Sequence, residues 1–492
     1  MEVGSPDLST VPSWVVVDQD LYRKDPASFV AHDGATSASA RASNGEEIRV
    51  SFIVSALPGT SRLCLHCPEE REQCFFDKVV AAHGEAVLFS LKVDYKGLLS
   101  PGHAIDYFVY WAGSPGPELT LLPRWYMTEQ EVLAAEEDGS WSREQQISMG
   151  IRGTGLLLTG RRDFVVAELH LDEDKLEDKY LDAPLDGQLF RLCSDREAVT
   201  TGGFGEWEVK DISARGGKAK FGDLRGWWEA HVVLPYAGYL CWVDYYRGII
   251  FCDVNHAMPD LQYLPLPLES VPLGDPDPFC MALPQEHRAV GITKGGIMKF
   301  VKIVGDDGVQ FGCSELGSGF TITIYTLMHL GDDEMEWREC ATIEAPDLWA
   351  MEGYGIQLPH IVPRFPLVSM DSPSIIYFVL ALDDGTKIWM VALDTDNKKV
   401  LWYREIRAIP SDDDLEIDAA HEVHQKQHAR WRALRRLCAT ELFTQGWLNA
   451  LRPLRESKSV ELVTSVARKA PPASPSHCAR PSLAWGASAA IA

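Results

Sequence analysis

The chain has 492 residues, with 46 Lys and Arg against 71 Asp and Glu for a formal net charge of −25, and 46% of its residues are hydrophobic. That length suits two or three ordinary domains or one large repeat-built domain, and the composition is that of a globular chain. So acidic a surface repels phosphate backbones and anionic lipid, which argues against nucleic-acid and membrane-surface binding, and no apolar run approaches the ~18 residues of a spanning helix.

At the N-terminus the apolar core is only Trp14 to Val17, with Glu2, Asp7, Asp18 and Asp20 around it. This is neither a secretory leader nor an Arg-rich transit peptide. Residues 1–12 read as disordered. Eleven cysteines, an odd number, are scattered without a framework spacing, as expected of thiols in a reducing compartment. A cytoplasmic or nuclear location follows as the expectation.

From Ser13 to about Ile409 short strand-like runs recur, each bounded by Gly, Pro, Asp or Asn. They include Ile48 to Ala56, Val87 to Val93, Tyr107 to Trp111, Phe164 to Leu169, Leu189 to Cys193, Ala230 to Leu234, Met298 to Val304, Phe320 to Leu327, Ile375 to Leu382 and Ile388 to Leu393. Hairpin tips are expected at Asp306-Asp307-Gly308 and Asp383-Asp384-Gly385. The capping box at Thr128 to Glu131 predicts one short helix, Glu129 to Glu137, and the charged stretch Asp172 to Asp186 reads as a surface loop.

About twenty short antiparallel strands must close, sandwich or stack radially to protect their edges. Three groupings, HRAVGITKGG to EMEWRECATI, PLVSMDS to KVLWYREI and the opening stretch, each give three or four meander strands. In the first two the outer strand carries Trp337 and Trp402, with Trp207 as a third such residue. Large aromatics at the end of a four-strand unit suit packing of one unit on the next. The expected fold is therefore mainly β: antiparallel four-stranded meanders arranged as a β-propeller of about six blades over residues 13–409. Five or seven units, or a pair of β-sandwiches split near Asp138 to Arg152, remain open.

The most regular stretch is Tyr239 to Ser270. It reads as a strand to Tyr245, a turn at Tyr246-Arg247-Gly248, a strand from Ile249 to Val254 and a third from Leu261 to Leu264, closed by Pro265 and Pro267. Within it WVDYYRGIIFCDV followed by LQYLPLP resembles the signature of a plant family expanded in grasses, domain of unknown function 1618. The residues that carry the resemblance are Trp242, Val243, Asp244, Arg247, Gly248, Ile249, Cys252, Asp253, Tyr263, Leu264, Pro265 and Pro267. PLVSMDSPSIIYFVL and WMVALDTDNKKVL extend it, and it is strongest over 234–409. That family is similar to the propeller-like domains attached to plant F-box proteins, which is an analogy of fold. The resemblance brings no catalytic residue. It implies a regulatory, stress or immunity role, and without a ~40-residue helical F-box this chain is not expected to dock a ligase scaffold by itself.

After Pro410 an acidic linker leads into a stretch whose apolar residues, among them Trp431, Leu434 and Leu442, recur near 3.6 spacing beside Arg435 and its basic neighbours. An amphipathic helix within 410–465 is expected, either folded on the β body or free as a partner element of the calmodulin-target type. Residues 466–492, rich in Pro, Ser and Ala, read as a disordered tail.

Candidate chemistry is sparse. Cys64 and Cys67 with Cys74 and His83 resemble a zinc cluster only in part, since there is no second C-x-x-C and Cys64 lies in an apolar run. His421-Glu422-Val423-His424 is one residue short of the zinc-protease spacing. No nucleophile elbow or phosphate loop occurs. Asp244 and Asp253 invite a carboxylate-pair reading, but turn capping or an internal ion pair with Arg247 fits them better. The sequence thus points to no catalytic residue, metal or cofactor. It suggests a non-enzymatic module whose loops hold a protein partner, against a hydrolase or lyase in a propeller channel or a carbohydrate or small-ligand binder.

Overall fold

The computed structural model describes residues 12–29, 31–67, 76–94, 103–113, 116–125, 149–171, 186–194, 205–213, 228–268, 284–306, 317–329, 335–382, 387–406 and 437–440. After β1 (Val15–Asp18), the first sheet is built from β2 (Tyr22–Lys24), β3 (Ala38–Arg41), β4 (Glu47–Ile53) and β5 (Arg62–His66), with α1 (Ala31–Thr36) between β2 and β3. Its order is β2-β5-β4-β3, and β2 runs parallel to β5.

Five antiparallel meanders follow, each with its strands side by side in chain order. The second sheet is β6 (Lys78–His83), β7 (Ala86–Asp94), β8 (His103–Trp111) and β9 (Glu118–Leu121). The third is β10 (Thr154–Leu158), β11 (Phe164–Leu171), β12 (Asp186–Cys193) and β13 (Glu208–Ser213). The fourth is β14 (Val232–Tyr236), β15 (Tyr239–Asp244), β16 (Gly248–Cys252) and β17 (Leu261–Pro265). The fifth is β18 (Arg288–Ile292), β19 (Met298–Gly305), β20 (Phe320–His329) and β21 (Met335–Glu344). Then come α2 (Ala345–Ala350) and the sixth sheet, β22 (Arg364–Val368), β23 (Ile375–Ala381), β24 (Ile388–Asp394) and β25 (Lys399–Ile406). The protein is therefore mainly β, and two of the three groupings seen in the sequence, HRAVGITKGG to EMEWRECATI and PLVSMDS to KVLWYREI, are the fifth and sixth sheets.

Both faces of the inner sheets are apolar, and the period of two sends alternate residues to opposite neighbours. In β7, Val87, Phe89 and Leu91 join a core shared with the first sheet, while Leu88 joins one shared with the third. In β15, Trp242 faces the third sheet; Cys241 and Val243 face the fifth. In β19, Phe300 turns toward the fourth sheet and Val301 toward the sixth. Each of these cores lies between consecutive sheets. Strands buried on both faces read as near-continuous apolar runs, which is why the sequence shows runs here and not clean alternation.

The first strands of successive sheets also meet: β6 with β10, β10 with β14, and β18 with β22. Glycine allows the approach, since a Cβ on Gly155 would lie 2.6 Å from Val233 Cγ1 and one on Gly291 would lie 2.5 Å from Val368 Cβ. At the chain start, Trp14 packs on Tyr377 of the sixth sheet at 5.9 Å between centroids, and Lys294 Nζ donates to Ser13 O at 2.7 Å. Val15 and Val17 then enter the core of the first and second sheets.

Two expectations change. Inside the stretch expected to be helical, Leu437–Thr440 form a strand, β26, antiparallel to β1. The main-chain groups on the open edge of β1 need partners, and an extended segment supplies them where a helix cannot. Trp431, Leu434, Arg435 and Leu442 lie outside the described residues, as do the short helix of 129–137, most of the loop at 172–186 and the tail. The outer-strand tryptophans also differ in role. Trp207, just before β13, donates from Nε1 to Pro123 O at 2.8 Å and stacks on Trp125, joining the third sheet to the second. Trp337 packs beside Phe300 against the core shared by the fourth and fifth sheets, as expected, whereas Trp402 packs on Tyr377 of its own sheet.

Filling the two close approaches tests the packing. Gly155→Val and Gly291→Val should each lower unfolding free energy by about 1–3 kcal/mol, read from urea denaturation midpoints. Unchanged midpoints would contradict the close seating of neighbouring first strands.

Candidate functional site

The signature meander of the fourth sheet buries three polar side chains, His231, Asp244 and Arg247. In each sheet from the second to the sixth, the beginning of the first strand carries a buried polar residue at or just before it: Lys78, Thr154, His231, Arg288 and Arg364. Register places each beside the second strand, with Lys78 opposite Ser90, Thr154 opposite Glu168 and Arg288 opposite Lys302. His231 and Asp244 flank the corresponding end of the β14–β15 ladder.

Asp244 is fully buried at the end of β15. One carboxylate oxygen accepts from Tyr246 N–H at 2.8 Å, the other from Glu229 N–H at 3.5 Å, and Arg247 Nε stands 3.9 Å away. Burial pushes the Asp244 carboxyl up to about 7, against the opposing pull of these hydrogen bonds and of Arg247. His231 Nδ1 lies 3.5 Å from Asp244 but accepts a hydrogen bond from Tyr245 N–H at 3.3 Å, so that nitrogen carries no proton and the pair is not ionic. Burial, with Arg152 and Arg288 nearby, lowers His231 to about 3. His287 is lowered to about 3 by burial and by Arg364 and Arg288.

These groups tie sheets together. Trp242 Nε1 donates to Gly153 O at 2.7 Å in the third sheet, and Arg152 pairs with Glu229 at 2.9 Å. From the fifth sheet, Arg288 Nη1 donates to Tyr245 O at 2.6 Å, and its guanidinium lies over the Tyr246 ring. Arg364 of the sixth sheet approaches Glu286 at 3.9 Å. Arg247, buried in the turn, donates its N–H to Asp244 O and accepts at its own carbonyl from Leu266 N–H. Gly248 must be glycine, since a Cβ there would lie 2.5 Å from Leu264 O. Gly248 pairs with Pro265, where β17 ends, and Tyr263 is buried in the core shared with the third sheet; Pro267 follows half-buried.

Cys252 is buried, and burial raises its thiol to about 12, the range of an unreactive thiol. Asp253 caps the next turn by accepting from Asn255 N–H at 3.1 Å. It lies just past the far end of the hairpin from Asp244, about five strand residues or ~16 Å along β16. That separation removes the carboxylate-pair reading.

His83 Nδ1 accepts from Leu158 N–H at 2.9 Å and is lowered to about 4 by burial, so it serves the packing of the second sheet on the third. Cys64 and Cys67 are buried, Cys74 and the His421–His428 segment lie outside the described residues, and among the described residues no group of three metal-ligating side chains gathers. One pair that residue spacing does not reveal is Ser51 Oγ and His66 Nε2, 2.7 Å apart on adjacent strands. Its spacing is that of a nucleophile and base, but Ser51 is fully buried and no substrate reaches it. Among the described residues no helix is long and apolar enough to cross a membrane.

Residues 242–377, from within β15 to within β23, match a family described as a protein of unknown function, DUF1618. No curated protein matches the chain. Among solved structures, it is similar to a putative 6-phosphogluconolactonase from Bacteroides uniformis (11% identity, 66% of this chain and 83% of the other, TM-score 0.24). It is also similar to a β-fructofuranosidase of Bombyx mori (11% identity, 82% and 84% covered, TM-score 0.24) and to an α-L-arabinanase of Penicillium chrysogenum (9% identity, 79% and 97% covered, TM-score 0.24). Likeness at these scores carries no argument about fold or activity.

The titrations have opposite signs. Asp244 holds its proton more tightly folded than unfolded, so its contribution to stability is full below pH ~4 and is lost as pH rises toward 7. His83, His231 and His287 do the reverse: unfolded chains bind protons that the folded protein does not, so stability falls as pH drops from ~6.5 toward 4. Asp244→Asn removes the opposing contribution. Between pH 6.5 and 4 its stability should fall more steeply than wild type by about 1.4 kcal/mol per pH unit, read from denaturation midpoints across pH. Parallel curves would show that Asp244 is ionised throughout.

Proposed function

We propose that the six sheets stand face against face around a common axis as a β-propeller, and that the body is a non-enzymatic module holding a protein partner on its connecting loops. Three features support the ring: a core between each consecutive pair from the first sheet to the sixth, contact between first strands, and the chain start seated on the sixth sheet before it enters the first. The burial of the ionisable groups in the signature meander suits a scaffold, because they brace neighbouring sheets instead of facing solvent.

One observation carries the interaction reading: large apolar side chains stand in solvent on connections. Ile356, between α2 and β22, is fully exposed, and Met258, between β16 and β17, is 68% exposed. Apolar anchors held on loops of a rigid body are what partner recognition uses. Cys64, Cys67, Cys193, Cys241, Cys252 and Cys340 are free thiols, in keeping with a reducing cytoplasmic or nuclear compartment. Plant origin and a regulatory, stress or immunity role belong to the same proposal.

Affinity purification of the full chain from native tissue, with Ile356→Asp and Met258→Asp beside wild type, tests it. A partner held by wild type should be lost from one variant, identifying the loop that binds, while both variants keep wild-type melting. A partner held equally by all three, or turnover of a glycoside or other metabolite by purified protein, would overturn the reading.

A further inference from the structure

Among the described cysteines, Cys64, Cys67, Cys241 and Cys252 are buried and Cys193 is half-buried, and burial raises the thiols of Cys193, Cys241 and Cys252. Cys340 is the exposed one. It lies in β21, the outer strand of the fifth sheet, where the ladder with β20 slips by one residue. Tyr325 faces Glu339 and Ile324 faces Ala341, so Cys340 is an extra residue with no cross-strand partner. A bulge of this kind unpairs one residue and re-aims its side chain.

The re-aimed sulfur meets two donors. Lys299 Nζ and Thr326 Oγ1 each donate to Cys340 Sγ at 3.4 Å, and the thiol donates to Ile324 O at 3.2 Å. Lys299 of β19 stands opposite Thr326 of β20, so side chains of two neighbouring strands converge on a sulfur carried by a third. Lys299 is 8% exposed, and apart from that sulfur its amine has no hydrogen-bond or ion-pair partner among the described residues. Glu339, the carboxylate beside Cys340 in sequence, accepts instead from Thr342 Oγ1 at 2.7 Å. A buried amine without a counter-anion is costly unless an anion can form next to it. Among the described residues the group placed to carry one is Cys340, with whatever becomes attached to its sulfur.

We propose that Cys340 is an oxidative modification site for a small hydroperoxide, with Lys299 and Thr326 as its positioning residues. Sulfur attacks one oxygen of the peroxide, and the S–O bond forms as the O–O bond breaks; sulfur gives up two electrons and the peroxide gains them. With hydrogen peroxide the thiol proton ends on the departing oxygen, so the products are a sulfenic acid and water. Lys299 and Thr326 are aimed at the place where negative charge gathers, first on the departing oxygen and then on the sulfenate, and donors fixed there in advance lower the barrier. A sulfenate also supplies the anion that the Lys299 amine lacks. Exposure on an outer strand lets a small thiol attack the sulfenic acid, releasing water and leaving a mixed disulfide that a second thiol reduces, so the modification is reversible. This site is on a different element from Ile356 and Met258 and needs no closed ring, so the failure of either reading leaves the other standing.

The full chain treated with equimolar hydrogen peroxide in the presence of dimedone, which traps sulfenic acids, tests it, with labelled cysteines mapped by peptide mass spectrometry. Cys340 should be labelled at least ~10-fold faster than Cys193. Lys299→Met keeps the length of the side chain and removes the donor; it should slow labelling at Cys340 by at least ~10-fold while labelling of Cys193 is unchanged. Thr326→Val should slow Cys340 by at least ~3-fold, and it carries the comparison should K299M lower the melting temperature. Alkylation separates charge from packing: the ratio of rates at Cys340 with anionic iodoacetate and neutral iodoacetamide should fall at least ~3-fold in K299M. Absence of label at Cys340, wild-type labelling rates in both variants, an unchanged alkylation ratio, or a disulfide-linked dimer formed in place of the sulfenic acid would overturn the proposal.

Discussion

Face-to-face burial between consecutive sheets is the constraint on which the rest depends. A four-stranded meander with two apolar faces is not stable alone in water, and each inner sheet here solves that by giving alternate residues to the sheet before it and the sheet after it. Trp242 and Val243, neighbours in sequence, thus belong to different cores. The end sheets would each keep one bare face, and the chain start covers part of one by laying Trp14 against Tyr377. In the proposed closed ring no apolar face would be left unmatched.

Such packing brings polar strand ends into the interior, where every charge must find partners. Asp244 takes main-chain donors on both oxygens, and Arg288 reaches a carbonyl of the neighbouring sheet. His231 stays neutral because a main-chain donor occupies its Nδ1. Residues that would suggest acid–base chemistry elsewhere here fix how the third, fourth and fifth sheets sit together. The signature shared with the DUF1618 match accordingly reads as a packing motif: a tryptophan to tie back, a capped turn, and a glycine where no Cβ fits.

Much of this was legible in the sequence. The strand runs, the turn before Gly248 and the grouping of the fifth and sixth sheets follow from local turn chemistry and β-branched composition, which act over a few residues. Other features depend on distant partners. β3, β6 and β9 are short or carry Lys, Ser and Glu, and they become strands by pairing with stronger neighbours. Apolar spacing near 437–440 suggested a helix, whereas the open edge of β1, more than 400 positions away, decides its backbone. Ser51 and His66 come together only through the β4–β5 register. The separation of Asp244 from Asp253 is likewise a matter of hairpin register, invisible to spacing.

The central claim is that the sheets close into a ring, and the distance between the first and sixth decides it. Double electron–electron resonance between spin labels replacing the exposed Tyr22 of β2 and Glu405 of β25 measures it directly. A ring makes these sheets neighbours, so the labels should lie within about two sheet spacings, ~20 Å. An open row of six sheets would hold them ~50 Å apart, and that longer distance would contradict the account.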